Sequence, residues 1–311
     1  MTELEVVRPG PLTTVQDLGR RGVAHLGVPR AGALDEPALR AANRLVGNDP
    51  DAAGLETTLG GVALRALGPV LVAVTGAAAP VLVDGRAAAW GTAVAVPAGA
   101  VVEVGAATHG VRGYLAVAGG IAVPPVLGSR SADLLSGLGP APLAAGDRLP
   151  VGPPPSYRPL PDQVPLPAHP AELVLRLCLG PRADWFEPQS VAWLAREHYR
   201  VAPASNRIAL RTEGPSVTRA RGGELPSEGM VLGAVQIPPD GRPVVFLADH
   251  PTTGGYPVVG VVPPADLAGA AQARPGTPVR FVLLPGRPGP PERPGPPERP
   301  GLPGRPGLPS R

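Results

Sequence analysis

Four clusters of polar residues interrupt otherwise aliphatic sequence, and each suggests a particular chemistry. Arg130 follows Gly128 and is flanked by Ser129 and Ser131, so a guanidinium stands beside small residues that leave backbone N–H groups open, a combination suited to anions. The plain alternative is a turn arginine paired with a surface carboxylate. Asn206 and Arg207 offer the same chemistry from the other half of the chain, against an equally simple structural role. Gln16, Asp17 and Arg20 lie between Gly10 and Gly22 in a strand-to-turn segment, where Asp17 serves a ligand or buttresses the fold by pairing with Arg20 or Arg21. Thr252, Thr253, Gly254, Gly255 and Tyr256 form the strongest cluster: paired glycines admit a ligand close to the backbone, and the hydroxyls supply hydrogen bonds. Asp249 and Gln236 are expected to face the same pocket.

Familiar catalytic constellations are missing. The five histidines show no H-x-H or H-x-x-x-H spacing, so no local metal site is expected. There is no G-x-S-x-G elbow, Walker A loop or G-x-G-x-x-G fingerprint, and Cys178, set between Leu177 and Leu179, reads as a buried, inert thiol. All 28 basic residues are arginine. Without lysine the chain cannot carry biotinyl-lysine, a Schiff base or a P-loop lysine.

The elements that must position these clusters are mostly strands. Val70–Val74, Val81–Val83, Ala93–Val96, Val101–Val104 and Tyr114–Ala118 are Val-rich runs separated by Gly, Pro or Asp-Gly, at the spacing of an all-β domain. One helix is expected at Pro37–Val46, capped by Asp35 and ended by Gly47 and Asn48. Asp35 is thus chiefly a cap, with a second role at a site left open. Beyond Pro170, strands near Leu173–Leu179, Val244–Leu247 and Val279–Leu283 and helices near Ser190–His198 and Ala265–Gln272 repeat the pattern. Nine prolines fall within Pro150–Pro170, which excludes continuous helix or central strand there. The expected organisation is a lobe at 1–150, a Pro-rich linker at 151–170, a second lobe at 171–285, and an Arg/Pro/Gly repeat tail at 286–311 with the composition of disorder.

The formal charge of +3 over 311 residues comes from that tail; the remainder carries equal numbers of acidic and basic residues. A neutral body gives no basic face for nucleic acid or membrane. A single cysteine, an N-terminus without a signal pattern and the lack of a long apolar run lead us to expect a cytoplasmic protein without a membrane span.

Eleven segments in order, GPLTTVQDLGRRG (10–22), GVPRAGALD (27–35), AANRLVGN (41–48), LETTLGG (55–61), Thr75–Ala77, GYLAVAGGI (113–121), VLGSRS (126–131), Leu179–Pro181, SNR (205–207), SEGMVLGAVQIP (227–238) and DHPTTGGYP (249–257), resemble the allophanate hydrolase subunit 2, or biotin-dependent carboxyltransferase-like, family. Three positions depart from its usual pattern: Ala132 after Ser131, Ile208-Ala209 after the SNR segment, and His250 where an arginine usually follows the aspartate. The resemblance implies a mostly β protein of two cyclophilin-like β-barrel lobes. It also implies one of three roles: the C subunit of an ATP-dependent 5-oxoprolinase, a carboxyltransferase of the urea carboxylase type, or a regulatory antagonist of a kinase-inhibitor-like subunit. A separate chain with no carrier region and no lysine fits the first best. The implied partners are then a B subunit resembling allophanate hydrolase subunit 1 and an A subunit, with ATP and Mg2+ at the level of the complex and no covalent biotin on this chain. Under that role Arg130, Asp249 and Tyr256 are the expected catalytic residues. Gln16, Asp17, Arg20, Asp35, Ser129, Ser131, Asn206, Arg207, Gln236 and Thr252, Thr253, Gly254 and Gly255 are the expected binding residues.

Overall fold

In a computed structural model, residues 2–155, 163–166, 170–223 and 225–285 are described. The repeat tail and half of the Pro-rich segment lie outside those residues. The chain is mostly β. Its first half contains two antiparallel sheets: a six-stranded one ordered Arg148–Pro150, Glu3–Arg8, Ala63–Ala66, Val101–Val104, Val81–Val83, Arg86–Ala88, and a five-stranded one ordered Leu12–Gln16, Gly54–Thr58, His109–Val117, Val70–Ala78, Ala93–Val96. Leu4, Val6, Leu64 and Val102 from the first meet Val15, Leu55, Val72 and Leu115 from the second in one core.

The five-stranded sheet is covered on both faces. Along His109–Val117, Leu115 and Val117 enter the core between the sheets, while Tyr114 and Ala116 point the other way, as the two-residue period of a strand requires. The outer residues receive helix α1, Glu36–Leu45, through Leu39, Ala42 and Leu45. The sequence placed this helix one residue later; Asp35 caps it as expected, its Oδ1 accepting the Ala38 N–H at 3.0 Å.

Strands of the second half close into a seven-stranded barrel. Leu173–Leu179 and Pro278–Leu283 pair in parallel, and every other ladder is antiparallel. Helix α2, Pro188–Leu194, is shorter than its expectation, and α3 spans Pro264–Gln272. Leu34, from the first half, inserts into the barrel's core cluster beside Leu247 and Ala248, so the two halves share apolar packing. Cys178 is exposed rather than buried. It falls on the outward face of its strand with Val174 and Arg176, opposite Leu173, Leu175 and Leu177, and strand alternation outweighs the apolar neighbours on which the expectation rested. Among the described residues no helix is long and apolar enough to cross a membrane.

Candidate functional site between the two halves

A buried ion network joins the halves. Arg207, 1% exposed, donates from Nε and Nη2 to the two carboxylate oxygens of Asp249 at 2.9 and 2.8 Å, from Nη2 to the Gly32 carbonyl at 2.7 Å, and from Nη1 to Glu56. Glu56 reaches it from the strand Gly54–Thr58 of the first half. The other Glu56 oxygen accepts from the Tyr114 hydroxyl at 2.8 Å and the Leu34 N–H at 3.0 Å, and the same hydroxyl accepts the Asp35 N–H at 2.7 Å. Burial opposes the charge on Glu56, yet Arg207 and Arg112 outweigh it and hold its carboxyl below the usual range. The two carboxylates likewise raise Arg207 against its own burial, and burial with Glu56 pushes the Tyr114 hydroxyl well upward. Removing one partner would strand an uncompensated charge.

A second tie runs through α3. Gln272 Oε1 accepts the N–H groups of Val111 and Arg112, both at 2.9 Å, while its Nε2 donates to Asp35 at 2.8 Å and the Arg112 carbonyl at 2.9 Å. Every hydrogen-bonding atom of the amide is engaged across the junction. Asp35 and Gln272 also line a side cavity of about 360 Å³.

Beside the ion network lies the larger cavity, about 780 Å³ and walled by both halves. The first half contributes Arg20, Arg21, Arg30, Glu36 and Arg40, and the second contributes Met230, His250 and Thr252. Glu36, at the start of α1, pairs with Arg30 and lies 3.8 Å from Arg40. Four arginines and one glutamate are thus among its lining residues, and the Arg20 guanidinium also lies near Asp17, Asp133 and Asp249. Arg20 Nη1 and Arg30 Nε are buried, without surface toward the cavity and without a hydrogen-bond partner among the described residues, at a cost in free energy. His250 is buried, and its Nδ1 lies 2.7 Å from the Pro251 carbonyl. A carbonyl can only accept, so Nδ1 carries the proton and Nε2 the lone pair. Burial lowers the imidazole pKa, favouring the neutral ring.

The expected site residues divide sharply. Arg20 and Thr252 are among the lining residues of the large cavity; Asp249, expected as catalytic, is fully buried, does not line it, and has both carboxylate oxygens on Arg207. Arg130 does not line it, and the anion in its serine nest is the protein's own Asp17: that carboxylate accepts from the hydroxyls of Ser129 and Ser131 at 2.6 Å, the Arg130 N–H at 2.6 Å and the Gly19 N–H at 2.8 Å. The Arg130 side chain donates to the Val123 carbonyl at 2.8 Å. Gln16 is buried in the same knot, bound to Thr14 and the Ala132 carbonyl. Asn206 accepts from the Ile208 and Ala209 N–H groups and shapes a turn, while Arg207 is consumed by the ion network. Thr253 and Gly254 pair as a strand with Glu228 and Gly229, and Gln236 donates to the Tyr256 carbonyl at 3.1 Å. Gly255 follows in the same turn. Tyr256 is 46% exposed, with the Arg219 guanidinium 5.8 Å from its ring, and does not line the cavity.

Residues not singled out from sequence are Arg30, Glu36, Glu56, Tyr114 and Gln272. Arg30, Glu56 and Tyr114 lie inside the family-like segments 27–35, 55–61 and 113–121. A glutamate within a strand between Gly54, Leu55 and two threonines was a local signal of a buried partner; Gln272 and Glu36 carry none.

The model of the carboxyltransferase domain, subdomains A and B, matches residues 26–283. The chain is 40% identical over 287 residues to the C subunit of 5-oxoprolinase from Escherichia coli, covering 90% of each chain, and 33% identical over 271 residues to the Haemophilus influenzae protein of that name, covering 86% of this chain and 87% of the other. The crystal structure of the Kluyveromyces lactis urea amidolyase superposes with a TM-score of 0.83 at 32% identity, covering 91% of this chain and 19% of that one.

Proposed function

Because the chain belongs to the family of the carboxyltransferase domain, subdomains A and B, we propose that it is the C subunit of a cytoplasmic, ATP-dependent 5-oxoprolinase, cleaving 5-oxo-L-proline to L-glutamate together with B and A subunits. The site is the cavity between the first lobe (1–150) and the second (171–285). The observation that carries the choice among the family's roles is its charge: Arg21, Arg30 and Arg40 line it beside a single glutamate, Glu36. That lining suits the carboxylate of 5-oxoproline and the phosphates of a nucleotide; neutral urea would leave it uncompensated. The similarity to the Escherichia coli C subunit over nine-tenths of both chains supports the same reading.

A lactam is resonance-stabilised and opens slowly at neutral pH; phosphorylation of its oxygen by ATP, with Mg2+, would break that resonance and open the ring carbon to water, so that the C–N bond breaks with the protonated nitrogen leaving and the phosphate is then lost by hydrolysis. The contributions of this chain are electrostatic and positional. Arg30 holds negative oxygens at the wall, and Arg20, buried behind it, braces the segment. Arg21, which is exposed without a partner among the described residues, and Arg40 meet phosphate at the rim. Glu36 orients Arg30, and Asp249 with Arg207 fixes the turn that precedes His250. Arg130, Asp17, Ser129 and Ser131 brace the loop that presents Arg20, whose side chain donates to the carbonyls of Val126 and Ser131 at 3.0 and 2.6 Å.

The test is reconstitution. The chain mixed with its B and A partners should hydrolyse ATP only when 5-oxoproline is added, and should be inactive alone. Activity that instead needs a biotinylated carrier, bicarbonate and urea would replace this reading with carboxyl transfer, in which biotin must come on another chain because this one has no lysine.

A further inference from the structure

We propose that the large cavity holds a nucleoside triphosphate across the junction, with the phosphates on Arg21, Arg30 and Arg40 of the first half and the base lying flat on an aliphatic wall of the second. The proposal rests on the reading of the chain as part of an ATP-dependent 5-oxoprolinase and assigns the nucleotide a place and an orientation on this chain. The lining divides by half. The first half supplies accessible cations: Arg21 is exposed, and the side chains of Arg30 and Arg40 are 27% and 40% exposed beside Glu36. Three guanidinium groups against one carboxylate leave a surplus of positive charge, which a magnesium-bound triphosphate, still anionic, complements. The second half supplies Met230, Val231, Leu232, Pro264, Ala265 and Leu267. Val231 is 53% exposed, an aliphatic side chain left open in a cleft. A cavity of about 780 Å³ is of the size that takes a nucleotide, whereas a single five-membered ring fills only a fraction of it.

The wall is fixed in place. Met230 N–H donates to the Thr252 carbonyl at 2.9 Å and Gly233 N–H to the Phe246 carbonyl at 2.9 Å, so the turn carrying Val231 and Leu232 is tied at both ends. The Gly233 carbonyl accepts the Val262 N–H at 2.8 Å, which sets this turn against the segment that opens α3 at Pro264. Glycine is required there: its φ is 82°, and a Cβ would sit 2.4 Å from the Val262 carbonyl oxygen. Across the junction Ala31 N–H donates to the Ala248 carbonyl at 3.1 Å, holding the arginine-bearing segment to the second half. None of the six aliphatic residues has a side-chain hydrogen-bonding group, so the wall meets a base by its face and not by its edge. His250 and Thr252 are the only hydrogen-bonding side chains that the second half adds to the lining among the described residues. An apolar surface discriminates between similar ligands by about 10- to 100-fold, against roughly ten-thousandfold for a site built to pair with a polar edge. The base should therefore be poorly distinguished.

A photoprobe and a ligand without a base separate these contacts. An azido-ATP irradiated with the reconstituted complex should label peptides of this chain that contain residues 230–232 or 264–267. Binding of ATP and of inorganic triphosphate would be measured by calorimetry on the same complex. Arg21→Gln, at a side chain without a partner among the described residues, should weaken both ligands by about tenfold, the worth of one charge-assisted contact. Val231→Asn should weaken ATP by about three- to tenfold and leave triphosphate unchanged. GTP should support 5-oxoproline-dependent turnover within about a hundredfold of ATP. Label confined to the B or A subunit, or a Val231→Asn complex that binds ATP as the wild type does or loses both ligands equally, overturns this inference while 5-oxoproline-dependent ATP hydrolysis persists. Label on the wall without any response to 5-oxoproline has the opposite meaning: the nucleotide site stands and the oxoprolinase reading falls.

Discussion

Single side chains here separate into those that bind the protein to itself and those left open. Arg207 belongs to the first kind. Its replacement by Ala leaves Glu56 and Asp249 facing each other in a buried space, so Arg207→Ala should lower stability by about 3–5 kcal/mol, read from the midpoint of urea denaturation, and Arg207→Lys should recover only part because an ammonium cannot reproduce the bidentate contact with Asp249. Tyr256 is the contrast. Its ring is exposed beside Arg219 and does not reach the cavity, so Tyr256→Phe should leave the rate of the reconstituted complex within about twofold, well inside one tenfold step of about 1.4 kcal/mol; a tenfold loss would return Tyr256 to the site. Both arginines in polar triplets, Arg130 and Arg207, were visible as candidates in the sequence. That Asp17 fills the nest of one and Glu56 with Asp249 fills the other depends on residues 113 and 151 positions away, beyond any local pattern.

At the scale of elements, helix α1 matters more for what its first turn presents than for its length. Asp35 caps it, and Glu36 and Arg40 on successive turns face the cavity. Asp35→Ala removes an N-cap, worth about 1 kcal/mol, and also the acceptor of Gln272 Nε2. The expected result is a thermal midpoint lowered further by this change than by Gln272→Ala alone, with weakened response to 5-oxoproline because Glu36 no longer holds Arg30. The strand pair His109–Val117 and Val70–Ala78 carries a bulge between His109 and Gly113. There Gly76 has a φ of 79° and an added Cβ would sit 2.4 Å from the Arg112 carbonyl oxygen, so Gly76→Ala should destabilise by more than about 1 kcal/mol and disturb Tyr114, measured by denaturant and by tyrosine fluorescence.

For the molecule as a whole, the two halves meet over shared apolar packing, an ion network and a titratable cavity wall. His250 has its pKa lowered by burial from an ordinary 6.5. The folded state therefore binds this proton less readily than the unfolded chain, and its contribution to stability is present above about pH 6.5 and lost as pH falls through the lowered folded value. Glu56, also lowered, acts with the same sign in the more acidic carboxylate range. The wild type should lose stability between about pH 7.5 and 5.5 more steeply than His250→Gln, which lacks the titration; parallel pH curves for the two would show that the imidazole is not buried neutral.

The mostly β character, the first-half strands and helix α1 followed from the sequence by itself, because strand alternation, Gly and Pro punctuation and an Asp cap are local signals that need no partner. So did the inability of this chain to carry biotin, since that is a matter of having no lysine. The family was legible for the same reason: its segments recur in order. The cavity was not. Only the tertiary structure decided that Arg30 and His250, from different halves, line one cavity, that Asp17 occupies the anion nest beside Arg130, and that Arg207 is a tie rather than a ligand holder. Each of those outcomes is set by which opposite charge reaches a buried group first, and that is fixed by the packing of segments far apart in the chain.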